Sequence, residues 1–188
     1  MPKLLPDLND LIRCVVLYNS ETAYRQFFSC LFPSVYRFCF FLLRSRELAE
    51  EVASDVMITL WRNRVKLQEV SNIKVYAFVI AKNLSLNMLS RNHQQQSVSL
   101  DHLDLDIVLD ALDPEQILIN GELKKKLELA TQRLPGKCKL VFKLVKEDGL
   151  SYKETASILN ISTKTVDAHL VAAVKKLTAI LKVEFNLS

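Results

Sequence analysis

The sequence predicts an all-α protein: two small helical domains joined by a flexible acidic linker. Three observations predict it. The 188 residues include only three Gly and five Pro, so long regular elements outweigh elaborate loops. Apolar residues return at every third or fourth position through most of the chain. Several of the segments marked in this way open on capping signals, such as Ser151 with Glu154 or Asp113 with Gln116. With 49% of residues apolar, there is enough material to bury a core.

Taken in order, residues 22–43, TAYRQFFSCLFPSVYRFCFFLL, read as an aromatic-rich helix or helix pair, with Pro33 as a kink or restart. Residues 46–63 are helical by period. Leu48, Val52, Val56 and Leu60 repeat at i+4 as one apolar stripe, while Glu47, Glu51, Asp55 and Arg62 take another face. The polar break NRVKLQEVSN follows. Residues 73–91 resume the helical period through Phe78, Ala81, Leu84, Met88 and Leu89, with Ser71 or Asn72 as N-cap. Trp61 and Phe78 are expected in the core. These elements make a first domain, 1–95.

Residues 96–113 turn acidic, with Asp alternating with Leu and Ile. A strand is possible by period, but no partner strand is evident, so a flexible linker is expected. At Asp113-Pro114-Glu115-Gln116 a helix starts on a capping box, with Pro at its first position. The second domain, 114–188, reads as four helices at about 114–133, 136–147, 151–159 and 163–182. Leu134-Pro135-Gly136 and Asp148-Gly149 form corners.

Charge follows the same division. Residues 24–95 carry +5, 96–121 carry −6 and 122–188 carry +6. Two basic blocks with an acidic connector suit a polyanion touched at two places, or simply solvated surfaces. No run approaches the ~20 uninterrupted apolar residues of a spanning helix. The N-terminus, MPKLLPDLNDLIRC, carries acids where a secretory signal is apolar, so a cytoplasmic protein is expected. Cys14, Cys30, Cys39 and Cys138 have no metal or redox spacing and read as buried thiols. No nucleophile–base pairing, metal-ligand spacing or Gly-rich phosphate loop is found. No catalytic residue, metal, cofactor or small-molecule substrate is therefore expected.

The densest signal is residues 149–170, GLSYKETASILNISTKTVDAHL. Ser151 and Glu154 form a capping box, Ala156 allows a close helix crossing, and Leu159 closes the apolar face. Asn160 tolerates the left-handed turn, and Ser162 caps the next helix. Val166, Leu170, Ala173, Val174, Leu177 and Leu181 make a buried stripe. At 100° per residue the opposite face carries Lys164, Ala168, Val171 and Lys175, flanked by Thr165, Asp167, His169 and Ala172. Small, basic and hydroxyl residues on an exposed second helix suit a DNA major groove. Ala168 and Val171 suit thymine methyls, and Lys164 a guanine edge or a phosphate. Asp167 either accepts from cytosine or holds a neighbour. The helix N-terminus, with Ser162 and Thr163, suits a phosphate.

Residues 134–170 resemble the −35-reading domain of the sigma-70 family, a pattern that LuxR-type helix–turn–helix regulators also share. The first half decides between them: LAEEVASDVMITLWRN, followed by IKVYAFVIAKNLSLNMLSRN, resembles sigma domain two. Both blocks stand in the family's order without a third domain, which resembles the extracytoplasmic-function (ECF) group. The tail TVDAHL is most similar to Bacteroidetes-type members. The resemblance implies a factor that binds core RNA polymerase and directs promoter-specific initiation. It places the beta-prime clamp helices on Glu51, Asp55 and Arg62, and implies a contact with the beta flap. Capture of the −10 element falls to Lys66, Ser71, Asn72, Lys74, Tyr76, Lys82, Asn83, Asn87 and Arg91. Tyr76 and Phe78 either stack on a base or pack in the core. An anti-sigma factor, often membrane-anchored, is the implied inhibitor. Departures from the pattern are Thr155 for Ile, Asn160 for Gly, Lys139 for Arg, and Asn-His-Gln after Arg91.

Overall fold

The computed structural model describes residues 7–92, 127 and 129–185, which fall into two compact units. The acidic linker and the Asp113-Pro114 helix start lie outside these residues. Among the described residues every regular element is helical.

In the first unit, α1 (Leu8–Tyr18) is a helix beyond those expected from the sequence. Asp7 caps it, accepting from the Asn9 N–H at 2.9 Å, and Leu11, Ile12 and Val15 turn inward. Helix α2 (Glu21–Leu43) starts on Ser20 and runs unbroken through Pro33, so the expected kink or restart does not divide it. Proline removes one backbone bond and costs about 3 kcal/mol inside a helix. Burying Phe27, Leu31, Val35, Phe38 and Leu42, at about 1.5–3 kcal/mol each, outweighs that. By length and composition α2 could cross a bilayer, but its buried face packs on α1, α3 and α4, as a core helix does. It ends at Arg44, whose left-handed backbone returns its N–H to the Phe40 carbonyl.

Helix α3 (Arg46–Arg62) is capped by Ser45. Val52, Val56 and Leu60 are buried as expected, joined by Ala49, Ala53 and Met57, whereas Leu48 is half-buried. A 3-10 turn, Lys66–Glu69, occupies the polar break and plugs it with buried Leu67. Helix α4 (Ile73–Asn92) is capped by Asn72, which accepts from the Val75 N–H at 3.0 Å. Phe78 lies in the core, 4.8 Å from the Phe38 ring. Trp61 does not: it is half-buried, 4.5 Å from the Tyr24 ring, with the Arg64 guanidinium 4.5 Å over its face. Cys39 and Cys138 are buried, Cys30 is half-buried and Cys14 is exposed, so the expectation of four buried thiols holds at two, is met in part at Cys30 and fails at Cys14. The inward face of α1 is already filled by Leu11, Ile12 and Val15.

In the second unit, a helix ends at Gln132 ahead of the Leu134-Pro135 corner. Helix α5 (Gly136–Phe142) continues into a π turn, Lys143–Glu147, rather than as regular helix to 147. There the Asp148 N–H reaches the Lys143 carbonyl at 2.9 Å. The Lys143 ammonium, buried, sits 3.4 Å from both Glu147 and Asp148 and helps to hold the widened turn. Gly149, at φ +69, lets the chain leave for α6 (Tyr152–Leu159). Helix α7 (Thr163–Phe185) follows Asn160, left-handed at φ 56. Ala130, Leu134, Cys138, Ala173 and Leu177 form a core, with Phe142, Ile180 and Leu181 packed on it. Val174, expected in the stripe, is 45% exposed. At 100° per residue it lies about 70° off the stripe's centre.

Candidate nucleic-acid interface

The corner 151–170 is built by its polar residues. The Ser151 N–H donates to Glu154 Oε2 at 2.7 Å, and the Glu154 N–H donates to Ser151 Oγ at 3.3 Å, closing the capping box. Asn160 and Ile161 return their N–H groups to the Ala156 carbonyl. Ser162 Oγ accepts from the Thr165 N–H at 3.0 Å and lies 2.7 Å from the Thr165 hydroxyl. Both hydroxyls are thus engaged in starting α7.

The outer side of α7 exposes Thr163, Lys164, Asp167, Ala168, Val171, Ala172 and Lys175, with Ser162 exposed at its cap. Val171, a valine 60% exposed, stands among them. Thr165 and His169 are half-buried on the border with the core. His169 Nδ1 lies 3.8 Å from Cys138 Sγ. Burial, and then Lys137, push the His169 imidazole below its ordinary pKa. The arrangement is a convex, mildly basic ridge with apolar methyls at its crest. Its charge and exposed methyls are of the kind that suits a groove.

On the first unit, Glu51, Asp55 and Arg62 are exposed and lie within about 40° of one another around α3. Ile58, 46% exposed, lies on the same face. Sequence reading passed over it because an isoleucine is assigned to a core by default; its angular position among the charged residues was the available signal.

The residues implied for −10 capture separate into groups. Tyr76, Asn83, Asn87 and Arg91 share one side of α4, with Tyr76 half-buried and the others exposed. Lys66 and Ser71 are exposed on the loop before it. Asn72 spends its side chain on the cap. Lys74 is half-buried on the opposite side, its ammonium 6.0 Å from the Phe78 ring. Lys82 is only 8% exposed, and burial lowers its pKa, so it belongs to the unit's interior rather than to an outward cationic row. A cleft of about 150 Å³ opens beside the loop, lined by Asn9, Arg13, Leu67, Gln68, Glu69, Val70 and Ser71. Asn9 Nδ2 donates to the Ser71 carbonyl at 3.3 Å, so α1 braces this loop. Sequence reading missed Asn9, which acts through a long-range contact that no local pattern records, and Arg13, which lines the cleft beside it.

A capped helix–turn–helix with an exposed, mildly basic ridge in one unit, and a charged face on α3 in the other, are features of a DNA-binding transcription protein. The comparisons specify which kind. Residues 27–95 match Sigma-70 region 2 and residues 124–177 match Sigma-70, region 4. The chain is 24% identical over 139 residues to the ECF RNA polymerase sigma factor SigW of Bacillus subtilis (strain 168), covering 70% of this chain and 74% of that protein. Its fold is similar to that of the sigma factor RpoE, solved in complex with the anti-sigma factor NepR from Bartonella quintana: TM-score 0.62, 21% identity, 85% of this chain and 97% of that one. It is also similar to CnrH, solved in complex with the cytosolic domain of CnrY: TM-score 0.59, 16% identity, 94% and 99% coverage. The chain belongs to the sigma-70 family, within its ECF group. It is a transcription initiation factor that binds core RNA polymerase and directs it to promoters through −10 and −35 elements. The region 2 match in the first half sets the LuxR-type alternative aside.

Proposed function

We propose that residues 1–95 dock core polymerase and capture the opened −10 element, that 96–113 connect, and that 114–188 read −35 duplex. The observation that carries the −35 assignment is the one-sided exposure of α7: Lys164, Ala168, Val171 and Lys175 face out, while Val166, Leu170, Ala173 and Leu177 are buried. Lys164 and Lys175 supply cations for phosphates or a guanine edge, and Ala168 and Val171 supply apolar contact for thymine methyls. Asp167 and Ala172 flank them. The Ser162–Thr163 end of α7 receives a phosphate on its backbone N–H groups.

Glu51, Asp55 and Arg62, with Ile58 among them, form the face for the beta-prime clamp helices, and the second unit meets the beta flap. Lys66, Ser71, Tyr76, Asn83, Asn87 and Arg91 offer hydrogen bonds, charge and a ring to melted DNA. Lys74 and Lys82 contribute mainly to packing. The chain works in the cytoplasm as a Bacteroidetes-type member of its group. An anti-sigma factor, membrane-anchored or not, holds it inactive. Co-elution with core polymerase on size exclusion tests the docking assignment. The wild type co-elutes and Asp55→Arg is displaced; a wild-type chain that never co-elutes contradicts it.

A further inference from the structure

Cys138 and His169 come from different helices of the second unit, α5 and α7, and meet at 3.8 Å between Sγ and Nδ1. Cys138 is 7% exposed, set in the cluster of Ala130, Leu134, Ala173 and Leu177. His169 lies on the border between that core and the reading ridge, beside Thr165. A side chain in this position meets the rim of a groove rather than its floor. We infer that Cys138 is a positioning residue for promoter reading: it occupies His169 Nδ1 and thereby holds the imidazole with Nε2–H turned outward, as a neutral hydrogen-bond donor to a DNA phosphate oxygen. This rests on the reading of α7 as the −35 helix.

The chemistry of the pair supports the assignment. Burial keeps the Cys138 thiol above its ordinary pKa, with Lys176 pulling weakly the other way. Burial, and then Lys137, keep the imidazole below its own. The charged groups acting on the pair are therefore both lysines, which disfavour an imidazolium. A neutral thiol donates through S–H. A neutral imidazole accepts at one nitrogen and carries its proton on the other. With the thiol donating to Nδ1, as inferred, the proton falls on Nε2, the other ring nitrogen. The sequence shows only a cysteine and a histidine 31 residues apart, with no spacing that would join them.

The first test uses the full chain labelled with 15N-histidine, with the His169 signals assigned by loss in His169→Gln. The wild type is expected to show Nδ1 bare and Nε2 protonated. Cys138→Ala is expected to give a mixture of tautomers, and Cys138→Ser, which keeps a donor, to restore the single one. A wild-type His169 protonated on Nδ1 overturns the inference without any variant having to fold.

The second test measures binding to the duplex that the wild type selects from a random-sequence library. Cys138→Ala is expected to weaken it about three- to tenfold, the worth of one hydrogen bond. In the His169→Ala background, Cys138→Ala is expected to change nothing further. Weakening by an equal factor in both backgrounds would show a packing role and overturn the inference. The His169→Ala loss is expected to be uniform across selected and scrambled duplexes, with an unchanged salt slope, as for a neutral phosphate contact. A loss confined to one base pair overturns the phosphate assignment. If the wild type selects no duplex at all, the −35 reading fails and the DNA role of His169 falls with it, while the tautomer result separates the two failures.

Discussion

Lys139, 3% exposed, reaches from α5 to the carbonyl of Gln132 and donates to it at 2.8 Å. The contact places a buried cation on the last turn of the preceding helix, where free carbonyls and the negative end of the helix dipole collect. It therefore ties that helix to α5 across the Leu134-Pro135 corner. A hydrogen bond to a charged group contributes about 1.5–3 kcal/mol when its partner would otherwise be stranded. Lys139→Ala is expected to lower stability by about 2 kcal/mol in urea unfolding of the full chain. Lys139→Met keeps the stem's packing and loses less. Equal stability of wild type and Lys139→Ala would show that the contact is idle.

Asn160 turns the corner at φ 56, a backbone region that costs most side-chain-bearing residues about 1–2 kcal/mol. Asn is tolerated there, and Gly pays nothing sterically. Asn160→Gly should therefore match or slightly exceed the wild type in thermal melting. Asn160→Val should be less stable by about 1 kcal/mol or more and should bind duplex more weakly, because α7 starts from this turn. A fully stable Asn160→Val would contradict the assigned geometry.

The parts of the fold legible in the sequence were those written in local chemistry. The Ser151–Glu154 box, the Ser162 cap and the i+4 run Val52, Val56, Leu60 each depend on residues a few positions apart, and each stands where its pattern placed it. What was not legible depends on partners distant in the chain. Pro33 stays inside one helix because three other helices cover its neighbours. Lys82, read as a DNA contact, and Lys139 leave solvent because of where their helices pack. The π turn at Lys143–Glu147 is helical in sequence and is widened where buried Lys143 meets Glu147 and Asp148. On the candidate interface, the ridge of α7 follows from its period, whereas the Cys138–His169 contact and the Asn9–Ser71 brace required the fold.

Cys39 gives a pH dependence. Burial pushes its thiol up to about 12, with the neighbouring Ser85 hydroxyl acting weakly in the other direction. An unfolded cysteine ionises near 9. Between these values the unfolded chain has released a proton that the folded chain retains. The contribution is fully present below about 9 and is lost as pH rises toward about 12, by up to about 4 kcal/mol. Stability measured against pH should fall more steeply across this window in the wild type than in Cys39→Ala. In the folded chain at pH 8, a thiol reagent should modify exposed Cys14 first and Cys39 last. Early modification of Cys39, or identical alkaline slopes, would contradict its burial.

The two units should also separate by mutation. Transcription reconstituted with core polymerase, on a template carrying the duplex that the wild-type chain selects, measures this most directly. The wild type is expected to give promoter-dependent transcript. Asp55→Arg should lose transcript together with core binding. Lys164→Ala should keep core binding and lose about 1–3 kcal/mol of duplex affinity. A wild-type chain that yields no promoter-dependent transcript, or a Lys164→Ala variant that no longer binds core, would contradict the division of labour between α3 and α7.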